Sequence, residues 1–504
     1  MKMHLFPLRR AMHSLPAPAA SLRSRSLRVL LAALLATTVV FGLTACGPYF
    51  YKFPANNFDN RPVPPSLLAQ RVMVALTVNG GQGSLQILDA LRDIRNNVPN
   101  TIPAFAVSGF RGTFPTTILS FPEQTRGYVY SNNQPDAAAS SINYGTETAV
   151  GSAGLPTAPS ASLATAPDFV RVLSADERDG QLILVDNSIA RSFAFNLPNV
   201  YKVALNRGDT VGLAMVRNSN ALYRIVRLNP NAPAAPGSID CQPTILPVYC
   251  VVPVPGNFDR PVDVSFSVDG AQAYVLNCGV ECGGGTNGGA GVSFIPLGAL
   301  QLNNIPTAVP YPSAVTNTVA IPGGVTTALS DGTNLYLAGQ QLQPDGLFAG
   351  NLTTLNLTTL TPSAPVSISD GYHSKLLLAE DNTLWIGSQF CTNGERAKQG
   401  LNANCLTRYD LGAKVAAIVP AISPGSATQP ASVPYPNSDN NLTYLGSLTG
   451  ICWVQTFHKV YTAYGGQVHV FSTVDGSEIN NVNVTVQGTA LDVAYMDALT
   501  NSAN

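Results

Sequence analysis

The sequence predicts an all-β fold, and within that class a β-propeller, from three observations. From Arg71 onward no long helical pattern occurs; short runs rich in β-branched and aromatic residues alternate with Gly, Pro, Asn and Asp, as strands joined by tight turns do. Several runs share one grammar: an alternating strand, a polar turn with Asp-Gly or Asn, then a Tyr- or Leu-rich strand. A unit that recurs four or five times points to a radial array, because a two-sheet sandwich has no reason to repeat it. Finally, the two ends of the body read as complementary parts of one unit.

In chain order, VMVALTV at 72–78 and SLQILDAL at 84–91 look like the middle of a unit. ILSFPEQTRGYVYSN at 118–132 is a weaker complete copy, and QLILVDN at 181–187 is a further strand. PVDVSFSVDGAQAYVLN at 261–277 is the clearest copy, followed by TTALSDGTNLYLAG at 326–339, KLLLAEDNTLWIGS at 375–388 and KVYTAYGGQVHVFSTVDGSEI at 459–479. After Gly488, LDVAYMD at 491–497 reads as the first strand of another unit. It is expected to pair with Val72–Val78 and close the ring, removing a sheet edge that would otherwise stay unpaired. Alternation puts Leu491, Val493 and Tyr495 on one face and Asp492, Ala494 and Met496 on the other. The body, 71–504, divides into seven blades of roughly 60 residues, with eight as the alternative count. The Ala/Pro/Ser/Thr-rich stretches 151–167 and 421–437 read as long inter-strand loops.

SFSVDGAQAYVLN resembles the YVTN/NHL-type propeller repeat, whose core runs roughly Ser-Pro-Asp-Gly and then Tyr-Val-x-Asn. Here Val268 stands where the family has Pro, and Leu276 where it has Thr. DNTLWIGS at 381–388 is similar to the propeller repeat of two-component sensor ectodomains. The resemblance implies the fold over 71–504 and no particular activity.

The first 45 residues read as a signal peptide. Lys2, Arg9, Arg10, Arg23, Arg25 and Arg28 precede an apolar run of 15 residues from Val29, short for a membrane span. The run closes on Leu43-Thr44-Ala45-Cys46, which resembles the bacterial lipobox. That resemblance implies diacylation of Cys46, a chain anchored in a membrane by its N-terminal lipid, and, with Gly47 rather than Asp after the cysteine, an outer-membrane destination. Residues 46–70, rich in Pro and Asn, read as a tether. Taking six basic residues away with the leader leaves 22 Lys+Arg against 29 acids, a formal charge of −7. Such a body carries no basic footprint for nucleic acid.

Seven cysteines follow Cys46. Six form close pairs, Cys241/Cys250, Cys278/Cys282 and Cys391/Cys405, read as disulfide staples in an oxidising compartment, with Cys452 left as a buried thiol. Metal is not expected: the mature chain has only His373, His458 and His469, none at ligand spacing from the cysteines. His458 and His469 are expected to pack across neighbouring strands. The Gly-rich segment 278–291 lacks the Lys-Ser/Thr of a phosphate loop and opens no helix. ADERDG around Asp176, Glu177 and Asp179 reads as a solvated turn.

No catalytic motif and no cofactor signature occurs. The expected function is a lipid-anchored cell-envelope module that binds or scaffolds a protein or glycan. The alternative is a lyase or hydrolase working on a polysaccharide or small molecule in the axial pocket. The two differ in what meets at the axis: His373, a carboxylate and an Arg for an enzyme, aromatic or polar residues on one rim for a binder.

Overall fold

The computed structural model describes residues 65–499 apart from 79–81, 94–105, 111, 122–124, 133–136, 157–161, 286–287, 380–381, 392–403, 421–445, 480–483 and 485. The expected signal peptide, Cys46 and most of the tether lie outside the described residues, as does the 421–437 loop. No described helix is long and apolar enough to cross a membrane.

Eight antiparallel sheets form an eight-bladed β-propeller. Blade 1 has Thr489–Tyr495 innermost, then Arg71–Val78 and Gln82–Asp89. Blade 2 runs outward through Pro115–Phe121, Arg126–Ser131, Ala138–Asn143 and Thr148–Gly154, and blade 3 through Ser162–Thr165, Arg171–Asp176, Gln181–Asp186 and Arg191–Asn196. Blade 4 begins at Val200–Leu205 and adds a fifth strand, Asp240–Gln242, outside Tyr249–Val254. The innermost strands of blades 5 to 8 are Pro261–Phe266, Gly324–Ser330, Tyr372–Ala379 and Leu448–Val454.

Both faces of a blade are covered by its neighbours, so the strands read as near-continuous apolar runs. Most of the buried side chains sort into clusters that lie between two adjacent blades. Val129 and Ile142 of blade 2 meet Met73 and Ile87 of blade 1, for instance, and Trp385 of blade 7 meets Phe471 and Tyr464 of blade 8. Each such side chain withdrawn from water contributes about 1.5–3 kcal/mol.

The closure matches the sequence expectation in register. Tyr495 pairs with Val72, Ala494 with Met73, Val493 with Val74 and Asp492 with Ala75. Val493 and Tyr495 pack toward blade 8, beside Cys452 and Tyr461, while Ala494 and Met496 pack toward blade 2, beside Ile118 and Val129. A bulge displaces Leu491, so Ala490 takes its expected place on the blade 8 side.

The ring holds eight blades rather than seven, and the stretch 151–167 is not one loop. It contains the end of Thr148–Gly154 and the whole inner strand Ser162–Thr165 of blade 3. That strand, SLAT, carries one large apolar residue and no alternation to betray it. The repeat units at 118–132, 261–277, 326–339 and 375–388 are each the first two strands of a blade. The unit at 459–479 begins one strand further out, its two strands being the second and third of blade 8. In the clearest copy, Ser267 donates to Asp269, the Gly270 amide bonds back to the Ser267 carbonyl, and Gly270 takes φ 70°. The expected tether also ends sooner than residue 70: Ser66 is buried, giving its amide and hydroxyl to the Glu147 carboxylate at 2.7 and 2.6 Å.

Three disulfides join Cys241 to Cys250, Cys278 to Cys282 and Cys391 to Cys405, and Cys452 is a buried free thiol. Cys241 and Cys250 face each other in register on the outer hairpin of blade 4. Cys391–Cys405 spans the longest loop, 14 residues apart, and both sulfurs lie in the core between blades 7 and 8. Replacing both by Ala is expected to cost about 3 kcal/mol of stability by the chain-entropy argument, more than removing either other pair. Urea denaturation of the three double variants checks the order.

A polar mouth on the propeller axis

Seven of the eight innermost strands carry a β-bulge: near the start of the strand in blades 1, 2, 4, 5, 6, 7 and 8. A bulge inserts one extra residue, bends the strand and re-aims the side chains around it. In blades 4, 5 and 7 the extra residues are Tyr201, Val262 and Ser374. All three line a cavity of about 450 Å³ at the end of the axis where the inner strands begin.

Tyr201, Lys202, Arg217, Arg260 and Tyr372 give this mouth its chemistry. Tyr201 bonds through its hydroxyl to the carbonyls of Pro261 and Val262, both at 3.3 Å, and the Arg217 guanidinium stacks 4.4 Å over its ring. Arg217 pairs with Glu177, which holds the guanidinium charged. Lys202 reaches Asp263 at 3.3 Å, and that carboxylate raises the lysine pKa. Tyr372, 38 % exposed, faces them from blade 7, and burial within the mouth pushes its hydroxyl pKa up. Cys282, in the Gly-rich segment 278–291, lies on the wall of the mouth. The segment does cradle an anion, and the anion is the protein's own: the Asp259 carboxylate accepts the amides of Gly285, at 2.8 and 2.9 Å, and of Gly289, at 2.9 Å.

Deeper along the axis is a second cavity of about 320 Å³, sharing Ser374 with the first and lined by Ile118, Lys375, Ile451 and Asp492. Asp492, on the closing strand, accepts the Ile118 amide at 2.8 Å and faces the Lys375 ammonium at 3.4 Å. Burial pushes its carboxyl up against the pull of Lys375. Gly450 of blade 8 lies so close that a Cβ there would sit 2.3 Å from the Asp492 carboxylate. The strand that closes the ring thus also supplies its axial carboxylate.

His373 does not join this group. Its side chain is fully buried and its Nε2 lies 2.8 Å from the Ser369 carbonyl within blade 7. The enzyme alternative needed His373, a carboxylate and an Arg together at the axis, and the structure separates them. His469 is buried with Nδ1 2.5 Å from Glu478, but His458 is exposed in the preceding turn at φ 53° rather than on a neighbouring strand. The ADERDG turn is only partly solvated. Asp176 is buried and accepts the Asp179 amide at 3.1 Å, and Glu177 belongs to the mouth through Arg217. Sequence reading missed Tyr201, Lys202, Arg217, Arg260 and Tyr372. The available signal was position: Arg260 directly precedes the clearest repeat copy, where the inner strand begins.

No group of three or more His, Cys, Asp or Glu among the described residues could hold a metal ion. No family model matches the sequence, and no curated protein sequence matches it. Among solved structures, the dihydro-heme d1 dehydrogenase NirN is similar to it at 13% identity and TM-score 0.50, with 88% of this chain and 78% of that one covered. The β-propeller domain of Cps50 (Swd1) from Myceliophteria thermophila covers 74% of this chain and 99% of its own, at 11% identity and TM-score 0.42. The Dos1 propeller covers 76% of this chain and 86% of its own, at 9% identity and TM-score 0.47. At these identities the likeness concerns the fold alone, and it is the eight antiparallel sheets that make the chain a β-propeller.

Proposed function

We propose that this protein is a lipid-anchored binding module of the bacterial cell envelope that engages a protein or glycan at the axial mouth. One observation carries the binding reading: Tyr201, Lys202 and Arg217 of blade 4 and Tyr372 of blade 7 reach one rim of the axis, with one bulge at Tyr201 and another at Ser374, two residues after Tyr372. Functional residues gather where a rigid scaffold presents them, and a propeller presents loops from every blade around one axis. Three disulfides suit an oxidising compartment outside the cytosol. The lipobox-like residues Leu43–Gly47 supply the anchor, and Gly47 favours the outer membrane.

Two experiments test the two halves of this reading. Cys46→Ser is expected to abolish metabolic labelling with an alkynyl fatty acid and to release the body from membranes; membrane association unchanged in an unlabelled protein contradicts the anchor. A photo-crosslinking amino acid at position 372 is expected to capture envelope material in living cells, while the same probe at Val415, 60 % exposed on an outer strand, captures little. Equal capture at both positions, or none at 372, contradicts the mouth.

A further inference from the structure

Arg260 sets the mouth apart from a merely polar surface. Lys202 and Arg217 are neutralised by Asp263 and Glu177, but Arg260 has no acidic partner among the described residues. Its Nη2 donates to the Gly283 carbonyl at 2.9 Å, while its Nε is buried without a hydrogen-bond partner. Its backbone is held at φ 54°, a conformation that costs energy for a side chain with a Cβ and persists only when its surroundings impose it. They do so here. The Asn220 side chain accepts the Arg260 amide at 3.1 Å, and the neighbouring Asp259 is locked by the Gly-rich loop that Cys278–Cys282 staples. A disulfide, a glycine cradle and a strained residue therefore all fix one unpaired guanidinium on the wall of a cavity.

The rest of that wall restricts what the guanidinium can take. Tyr372 offers an aromatic face, whereas the Tyr201 face is already covered by Arg217. Asn218, Ser219 and Gln389 add neutral hydrogen-bonding groups. One unpaired cation, one open aromatic ring and several neutral polar side chains match a sugar ring that carries a single carboxylate. A phosphate dianion would leave one charge uncompensated in a mouth whose other cations are already paired. The cavity, at about 450 Å³, lies within the usual range of small-ligand sites.

We infer that the axial mouth binds a uronic acid residue of an acidic polysaccharide, its carboxylate on Arg260 and its ring against Tyr372. This rests on the mouth being the binding site.

Calorimetry of the full-length protein in detergent tests it with tetragalacturonate, the neutral galactotetraose and inorganic phosphate. Tetragalacturonate is expected to bind saturably, more weakly as salt rises, and galactotetraose at least tenfold more weakly. Arg260→Gln is expected to lose about tenfold or more in affinity, as removal of a charge-assisted hydrogen bond does, with the thermal transition unchanged. Arg260→Asn, which tolerates positive φ better, serves if that variant does not fold. Tyr372→Ala should weaken binding while leaving its salt dependence in place. Undiminished binding by Arg260→Gln, equal affinity for galactotetraose, displacement by inorganic phosphate, or no saturable binding of tetragalacturonate each overturns the inference. Equal affinity for the neutral sugar, lost in Tyr372→Ala, would leave the mouth standing as the site. Absence of crosslinks at position 372 would instead remove the mouth itself.

Discussion

Deletion of residues 489–504 is expected to abolish the cooperative unfolding of the whole body, although it removes only a short tail. The segment Thr489–Tyr495 is the innermost strand of blade 1, hydrogen-bonded to Arg71–Val78. Without it the backbone of Arg71–Val78 loses its inner partner and becomes an exposed sheet edge, a template for aggregation. Val493 and Tyr495 leave a gap against blade 8, and Ala494 and Met496 leave one against blade 2. Asp492 also leaves, taking with it the acceptor for the Ile118 amide and the partner of Lys375. Both blade interfaces beside the closure are opened at once. Calorimetric melting checks the result: a soluble truncated protein with the transition of the full chain means that the ring closes by other contacts.

Arg71→Ala is expected to cost about 3–5 kcal/mol, the usual penalty for leaving buried charge without its partner. The Arg71 side chain is 13 % exposed and Glu147 5 %. Nη1 bonds to Glu147 at 2.9 Å and to the Tyr144 carbonyl at 2.6 Å, while Nε and Nη2 hold the Asp497 carboxylate at 3.1 and 2.5 Å. One guanidinium thus ties the start of the second strand of blade 1 to the residues just after the closing strand and to blade 2. Its loss leaves Glu147 buried, with the Ser66 hydroxyl and amide as its remaining side-chain partners among the described residues. Asp497→Asn is expected to cost far less, because Asp497 is 22 % exposed and the amide still accepts a hydrogen bond. Equilibrium urea denaturation separates the two; a loss below about 1 kcal/mol for Arg71→Ala, typical of a surface pair, contradicts the clasp.

What could be read from the sequence was what local chemistry determines. Alternation and turn residues placed most strands, and the half-units at 72–91 and 491–497 announced their own pairing. The cysteine pairs were close enough in sequence for loop closure to select them. What escaped depends on the ring. Ser162–Thr165 is a strand because blades 2 and 4 flank it, not because SLAT favours one, and the count of seven came from dividing the body's length into blades of roughly 60 residues. Tyr201 and Tyr372 lie on the inner strands of blades 4 and 7, so no spacing along the chain brings them together. Bulges decide which residues face the axis, and nothing in the residue pattern marks Tyr201 or Ser374 as the inserted one. Glu177 likewise looked like part of a solvated turn until Arg217 arrived from the next blade.

The central claim is that the closing strand is an integral inner strand of the propeller and a wall of its axial channel. Amide hydrogen exchange followed by mass spectrometry measures this directly on the peptide covering 490–496. The account predicts protection equal to that of the inner strands Pro261–Phe266 and Leu448–Val454, because the 490 to 496 amides open only with the ring. Exchange at the rate of a frayed terminus, with the other inner strands still protected, would contradict it.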